Sequence, residues 1–373
     1  KDVINEWKAE EWQPDSLVRF YKSVGARYFM ALGNHHDNMD LWDSKYQPWN
    51  SVNMGPKRDV VGEWAKACKK YGLPLGVSIH ASHAWTWMEG SQDFDGKLTK
   101  ADGKGKWWEG YDPQDLYAQN HPMSEKSWAN NRVHVQWAWS GGACLPTLEY
   151  VTNFYDRTLD AINRYNPDLI YFDVTVAPFH DISDCGLKIA SHFYNKNLSR
   201  KGVQNGVLTI KRIRKGYTLD RECSGEDDLQ KNPFLVDTTV NPGWFYMGNS
   251  LNINKEGGDA GMGSVIQGKT KDQLRMTAGQ IVDNLVDIVS KNGNMMLNVG
   301  LRADGSLPET FRDELVKIGN WLKLNGEAIY DTRPFKVYGE GTFNMNVASG
   351  KKQYADYLYK FTAKDIRFTT KKN

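Results

Sequence analysis

The sequence predicts an α/β chain folded as an irregular (β/α)8-type, TIM-like barrel, and three observations carry that reading. Short apolar runs of strand-forming residues alternate with segments of helical period at least five times in succession. Several runs stop on a polar residue, as buried parallel strands do at the edge where α/β folds place their chemistry. Gly25, Gly72 and Gly293 punctuate the exchanges from helix to strand.

Taken in order, Pro14 to Tyr21 has helical spacing, and Ala26 to Leu32 is a strand that empties into Gly33-Asn34-His35-His36-Asp37-Asn38. A helix from about Arg58 to Tyr71 leads to the strand Leu75–Ile79, which stops on His80 and is followed by His83, Trp85 and Trp87. The stretch from Glu89 to about Leu145 is long, polar and rich in Gly and Trp, and includes Val133 to Trp139; loops of that length in compact domains usually serve function. A helix from about Leu148 to Tyr165 delivers the chain to Pro167-Asp168-Leu169-Ile170-Tyr171-Phe172-Asp173-Val174, an apolar strand ending on a carboxylate. Next come a helix near Leu187 to Leu198, the strand Val207–Ile210 and the segment Tyr217 to Cys223, which again runs from apolar residues into charge. A helix from about Lys271 to Val289, a strand Asn294 to Gly300 and a helix Pro308 to Leu324 complete the alternation. From Arg333 the pattern changes to strand-like pieces, Phe335 to Tyr338, Tyr354 to Thr362 and Ile366 to Phe368. The expected domains are therefore a barrel over 1–333 and the beginning of a β-sandwich over 334–373.

Composition narrows the function. A formal charge of +2 with scattered basic residues gives no footprint for nucleic acid. The run Lys211-Arg212-Ile213-Arg214-Lys215 reads as a solvated face. No stretch is apolar enough to span a membrane, and no signal peptide is evident. Cys68, Cys144, Cys185 and Cys223 are widely spaced and show neither a zinc pattern nor a disulfide framework. Aromatics are abundant, with 14 Trp, 18 Tyr and 14 Phe, many of the tryptophans in polar, turn-rich surroundings. Flat rings stack on sugar faces as well as filling cores, which points toward a carbohydrate partner.

If the elements close into one barrel, His35, His36, His80, Asp173 and Glu222 all stand at C-terminal strand ends and converge on one mouth. Two carboxylates on separate strands, with no metal-ligand spacing and no Ser or Cys nucleophile elbow, suit glycoside hydrolysis without metal or cofactor. One carboxylate attacks the anomeric carbon; the other, held protonated, assists the leaving oxygen. Asp173, short and at the end of a buried strand, suits the nucleophile, and Glu222 suits the acid/base. Glu226, Asp227 and Asp228 compete with Glu222 for that role, and a salt bridge from Glu222 to Arg221 or to a lysine is the plain alternative.

The segments Gly33 to Ser44, Asp168 to Asp173, Asn292 to Gly300 with Asp304 to Leu307, and Gly326 to Pro334 occur in one order, and together they resemble glycoside hydrolase family 29, the α-L-fucosidases. The resemblance implies a retaining exo-hydrolase on an irregular barrel with a C-terminal β-sandwich, needing no metal. It makes Asp173 the nucleophile, His35 and His36 ligands of sugar hydroxyls, and Tyr171 a ring against the sugar. The motif also carries Trp42 as a candidate binding residue, and His80 joins the set from its strand end. Asp220-Arg221-Glu222 with Trp244-Phe245-Tyr246 looks like one subgroup's acid/base region, which favours Glu222 and places Arg221 and Trp244 nearby. The family's first strand, with its sugar-binding His and Glu, has no counterpart in this sequence, so the reading expects the protein to extend before Lys1 and beyond Asn373. Asn38 stands where the family usually has Gly.

Terminal α-L-fucose on oligo- or polysaccharides is the expected substrate. L-Galactose adds a hydroxyl at C6, and Asn38 or the Trp-rich loop could partner it, so an α-L-galactosidase acting on an algal galactan is the alternative. A catalytically inactive sugar-binding relative is the rival from another class. Substrate class alone suggests secretion or a periplasmic location.

Overall fold

A computed structural model describes residues 1–87, 89–93, 95–117, 145–174, 177–180, 182–211, 216–241, 243–246, 274–336, 338 and 370–372. The chain forms two compact units, the first Lys1–Leu219 with Ala303–Ser306, the second Asp220–Arg302 with Leu307–Asn373.

In the first unit β1 (Phe29–Asn34), β2 (Leu75–Ile79), β3 (Leu169–Phe172), β4 (Val207–Ile210) and the start of β5 (Thr218–Asp220) pair in sequence order, every pair parallel. Helices Val60–Tyr71, Leu148–Tyr165 and Cys185–Lys201 make the crossovers that parallel pairing requires. This is the predicted strand-helix repetition of the (β/α)-barrel class, and every residue of β2 is buried, as a strand covered on both faces must be.

Local chemistry sets the element boundaries. Asp59 accepts from the Gly62 amide at 2.8 Å to start the helix Val60–Tyr71, and Gly72 ends it at φ 65°. Thr147 caps Leu148–Tyr165 through the Tyr150 amide, and Asn166 ends it in the left-handed region. β1 starts later than the predicted Ala26 because Ala26 still donates to the Tyr21 carbonyl, closing the preceding helix through Gly25. Phe154, Ile170, Phe172, Ile189, Phe193 and Leu208 are fully or almost fully buried, each contributing about 1.5–3 kcal/mol by leaving water.

Three residues in the described part of the Trp-rich stretch are core. Trp108, Leu116 and Tyr117 pack with Met39, Trp49 and Met54, and the Trp49 indole donates to the Asp112 carbonyl at 2.6 Å. A partner for the N–H is what lets a tryptophan be buried whole. Residues 118–144, with Val133 to Trp139, lie outside the described residues.

In the second unit β6 (Phe234–Thr239) and β7 (Gly293–Asn298) pair in parallel, Phe234 opposite Gly293. The strand at 234–239 is not among those expected from the sequence, although Phe-Leu-Val-Asp-Thr-Thr is a β-prone run and all six residues are buried. The helix predicted from Lys271 starts at Ala278 among the described residues, where Thr277 and Gln280 form a capping box. Helix Glu309–Asn325 matches its prediction to within a residue. β8 (Thr332–Pro334) pairs antiparallel with β9 (Thr370–Lys372). The strand expected at Phe335 to Tyr338 is absent from the described residues there, and Tyr354 to Thr362 and Ile366 to Phe368 fall outside them.

Within β1 the register slips between Leu32 and Asn34, a bulge at Gly33. A Cβ at Gly33 would stand 2.8 Å from Val77 Cγ1 and 3.0 Å from the Ser78 carbonyl oxygen. Gly33→Ala should therefore destabilise the protein by about 1–3 kcal/mol through overpacking, read as a lower urea midpoint at unchanged slope. An unaltered midpoint would show that the bulge tolerates a methyl group.

Candidate active site

Four successive strand ends of the first unit deliver one cluster. His35 and His36 follow β1, His80 follows β2, Asp173 follows β3 and Lys211 follows β4. Asp173 Oδ2 lies 3.3 Å from His80 Nδ1 and 3.9 Å from His36 Nε2, and its Oδ1 lies 3.2 Å from Lys211 Nζ. The same ammonium donates to the Tyr171 hydroxyl at 2.8 Å. Tyr171 lies in β3 and Asp173 directly follows its last residue.

The imidazoles are stacked into a wall. His35 lies over His80 at 4.4 Å between centroids, His36 lies over Trp87 at 3.9 Å, and His83 meets His36 edge-on at 5.6 Å. His80 Nε2 bonds to the Ser78 hydroxyl, which turns Nδ1 toward Asp173.

Electrostatics follow from this enclosure. Burial first, then the His80 charge, pushes His35 down to about 3; the residue is exposed at the surface, while its ring packs against His36 and His80. Burial likewise drives His36 down, reinforced by His35, His80 and His83. Both rings are neutral near pH 7, each with one N–H to donate and one nitrogen to accept. For Asp173, burial works upward but is outweighed by His80, Lys211 and His36, leaving the carboxyl well below the usual carboxylate range.

Behind this face, Arg157 on the helix Leu148–Tyr165 is buried and clamps Asp40 through Nε at 3.0 Å and Nη2 at 2.6 Å. It also donates through Nη1 to Asn38 Oδ1 at 2.6 Å and through Nη2 to the Asn38 carbonyl at 3.0 Å. Asp40 accepts from Asn34 Nδ2 at 2.9 Å, and Asn34 Oδ1 accepts the backbone amides of His80 and Ala81, each at 3.0 Å. One chain of hydrogen bonds, charge-assisted at Asp40 and Arg157, thus ties the loop bearing His35 and His36 to the residue that bears the His80 ring.

Within the first unit, not every predicted site residue joins the cluster. His35, His36, His80, Tyr171 and Asp173 do. Trp42 is fully buried with its indole donating to Asp160 at 3.1 Å, so it offers no face to a ligand. Asn38 is buried and held by Arg157; its φ of 66° explains an Asn where the family pattern has Gly, since Asn tolerates the left-handed region. Glu222, Arg221 and Trp244 belong to the second unit. There Arg221 pairs with Glu226 rather than Glu222, Asp228 accepts from the Tyr338 hydroxyl at 2.7 Å, Glu222 is exposed and Trp244 is half-buried.

Lys211 corrects the sequence reading, which placed it on a solvated face. Its side chain is only 14% exposed. The available signal was position: Lys211 directly follows the apolar run Val207–Ile210, as Asp173 follows Leu169–Phe172.

Donor atoms of His35, His36 and His80 lie within 4.8 Å of one another, close enough to gather around a cation or around hydroxyl groups. An ammonium already on the adjoining carboxylate disfavours a dication and favours a neutral, polyhydroxylated ligand.

A model of the α-L-fucosidase family matches residues 1–257 and 261–327. Among curated proteins the tissue α-L-fucosidase of Bos taurus is 25% identical over 364 residues, 96% of this chain and 63% of that protein. The Mus musculus tissue α-L-fucosidase is 23% identical over 364 residues, 96% of this chain and 66% of that one. The chain thus spans slightly under two thirds of their length. Of the solved structures, the Thermotoga maritima α-fucosidase in complex with fucose superposes with a TM-score of 0.59 at 23% identity, covering 90% of this chain and 62% of that one.

Arg157→Met would leave Asp40 buried without its counter-charge, an expected loss of about 3–5 kcal/mol in urea unfolding. The double variant Arg157→Met/Asp40→Leu should recover most of that loss. A single variant as stable as the parent would remove the clamp from the account.

Proposed function

The chain belongs to the α-L-fucosidase family, glycoside hydrolase family 29, and from that premise we propose that it is a retaining exo-hydrolase releasing terminal α-L-fucose from oligo- or polysaccharides. The observation that carries the reading is Asp173, kept ionised at the end of β3 among imidazoles able to bond sugar hydroxyls.

Asp173 attacks the anomeric carbon and forms a covalent glycosyl ester, while Glu222 gives its proton to the departing oxygen. Water then attacks the same carbon, Glu222 takes the proton, and the carbon–oxygen bond to Asp173 breaks with its electron pair returning to the carboxylate. Glu222 is preferred over its neighbours because Asp220-Arg221-Glu222 with Trp244-Phe245-Tyr246 resembles the acid/base region of one subgroup of the family. Neutral His35 and His36 can donate or accept without placing a second full charge beside the oxocarbenium-like transition state. Tyr171, buried and 5.9 Å from the His80 ring, borders the same space.

Fucose is favoured over L-galactose because Asn38, one of the two partners considered for a C6 hydroxyl beside the Trp-rich loop, has its side-chain oxygen committed to Arg157. Secreted or periplasmic placement follows from a glycan substrate. No helix among the described residues is long and apolar enough to cross a membrane.

Two assays test the reading. The protein should hydrolyse an aryl α-L-fucoside with higher kcat/KM than the α-L-galactoside, and Asp173→Ala should lose on the order of 10^4-fold or more in kcat. A preference for the galactoside would replace fucose, and turnover of neither with sugar binding intact would overturn the enzyme assignment. Glu222→Ala should lose about 10^2–10^4-fold on substrates with poor leaving groups, retain activity on activated ones and regain rate with azide. Parental behaviour from that variant would transfer the role to Glu226 or Asp227.

A further inference from the structure

The two oxygens of Asp173 face different company. Oδ2 looks toward His80 at 3.3 Å and His36 at 3.9 Å, on the histidine-walled side; Oδ1 is met by Lys211 Nζ at 3.2 Å. Lys211 is itself fixed: its amide donates to the Val174 carbonyl at 2.8 Å, its ammonium to the Tyr171 hydroxyl, and it lies 5.5 Å from the centroid of that ring. A lysine so enclosed gives up rotamer freedom and hydration, a cost that only a specific partner offsets.

We propose that Lys211 is a positioning residue: its ammonium pins Oδ1 of Asp173, presents Oδ2 to the anomeric carbon, and eases the return of charge to the carboxylate when the glycosyl ester breaks. The inference rests on the retaining reading above. In the first step the carboxylate loses charge as the carbon–Oδ2 bond forms, so the ammonium makes Asp173 a weaker nucleophile. In the second step that bond breaks and the electron pair returns to Asp173 beside the ammonium, so the same contact makes Asp173 a better leaving group. Lys211 therefore trades rate in the first step for rate in the second. The groups facing Asp173 are His35 and His36 from β1, His80 from β2, Lys211 from β4 and Tyr171 on its own strand; His83 stands behind His36.

The test uses Lys211→Met and Lys211→Arg with two readouts. The first is the titration of the Asp173 carboxyl by 13C NMR, assigned by difference with Asp173→Asn. The second is the pH profile and pre-steady-state burst on an aryl α-L-fucoside. Removing the ammonium should raise the Asp173 midpoint and move the acidic limb of kcat/KM upward by about 1–3 pH units. Activity would then be lost at a higher pH on acidification, because the ionised form is the active one. The Met variant should also accumulate glycosyl-enzyme, seen as a larger burst, and the Arg variant should restore both limb and burst toward the parent. Unchanged midpoint, limb and burst in Lys211→Met, with the parent turning over, would overturn the role of Lys211 and leave the hydrolase reading intact. A shifted midpoint in a protein whose parent form turns over no fucoside or galactoside would confirm the pinning of Asp173 and overturn the hydrolase reading. Should Lys211→Met fail to fold, Lys211→Gln, which can still bond Tyr171 without the charge, reads the same titration.

Discussion

An ionised carboxylate withdrawn from water at the end of a parallel strand must be compensated within a few ångströms, and the first unit is arranged around meeting that demand for Asp173. Desolvating such a group costs several kcal/mol, which no single exposed ion pair returns. Compensation comes from neighbouring strand ends because parallel pairing in sequence order places them side by side: His36 from β1, His80 from β2 and Lys211 from β4. Each is the first or second residue past its strand, so the fold's geometry and the site's electrostatics have one cause.

Holding the imidazoles in place requires a second layer. The helix Leu148–Tyr165 is amphipathic, yet its buried face carries Arg157, Thr158 and Asp160 among the apolar residues. Arg157 organises Asp40 and Asn38, and Asn34 passes that order to the backbone of His80 and Ala81. Asp160 meanwhile takes the Trp42 indole. These buried polar residues bring rigidity to a loop that would otherwise have glycine-like freedom, and they hold His35 and His36 against the carboxylate without touching a ligand.

Much of this was legible in the sequence. A run such as Leu169 to Phe172 ending on Asp173, or Leu75 to Ile79 ending on His80, signals both strand and site, because only a strand end can be apolar up to a residue and functional at the next. Lys211 obeys the same rule but was hidden in a run of basic residues whose composition suggested solvent. Trp42 and Asn38 lie inside the motif that carries the histidines, and motif membership cannot tell a ring in the core from a ring on the sugar; three-dimensional partners, Asp160 and Arg157, decide that. The strand Phe234–Thr239 escaped because a polar stretch precedes it and its apolar residues stop at Val236, with Asp237, Thr238 and Thr239 completing the run.

As the proposed nucleophile, Asp173 forms the covalent bond to the sugar. Incubation with a 2-deoxy-2-fluoro-α-L-fucosyl fluoride slows the second step more than the first and traps that bond, and peptide mass spectrometry after digestion locates it. One fluoro-sugar adduct is expected on the peptide containing Tyr171-Phe172-Asp173, fragmenting to Asp173. An adduct on any other carboxylate, or inactivation without one on Asp173, would contradict it.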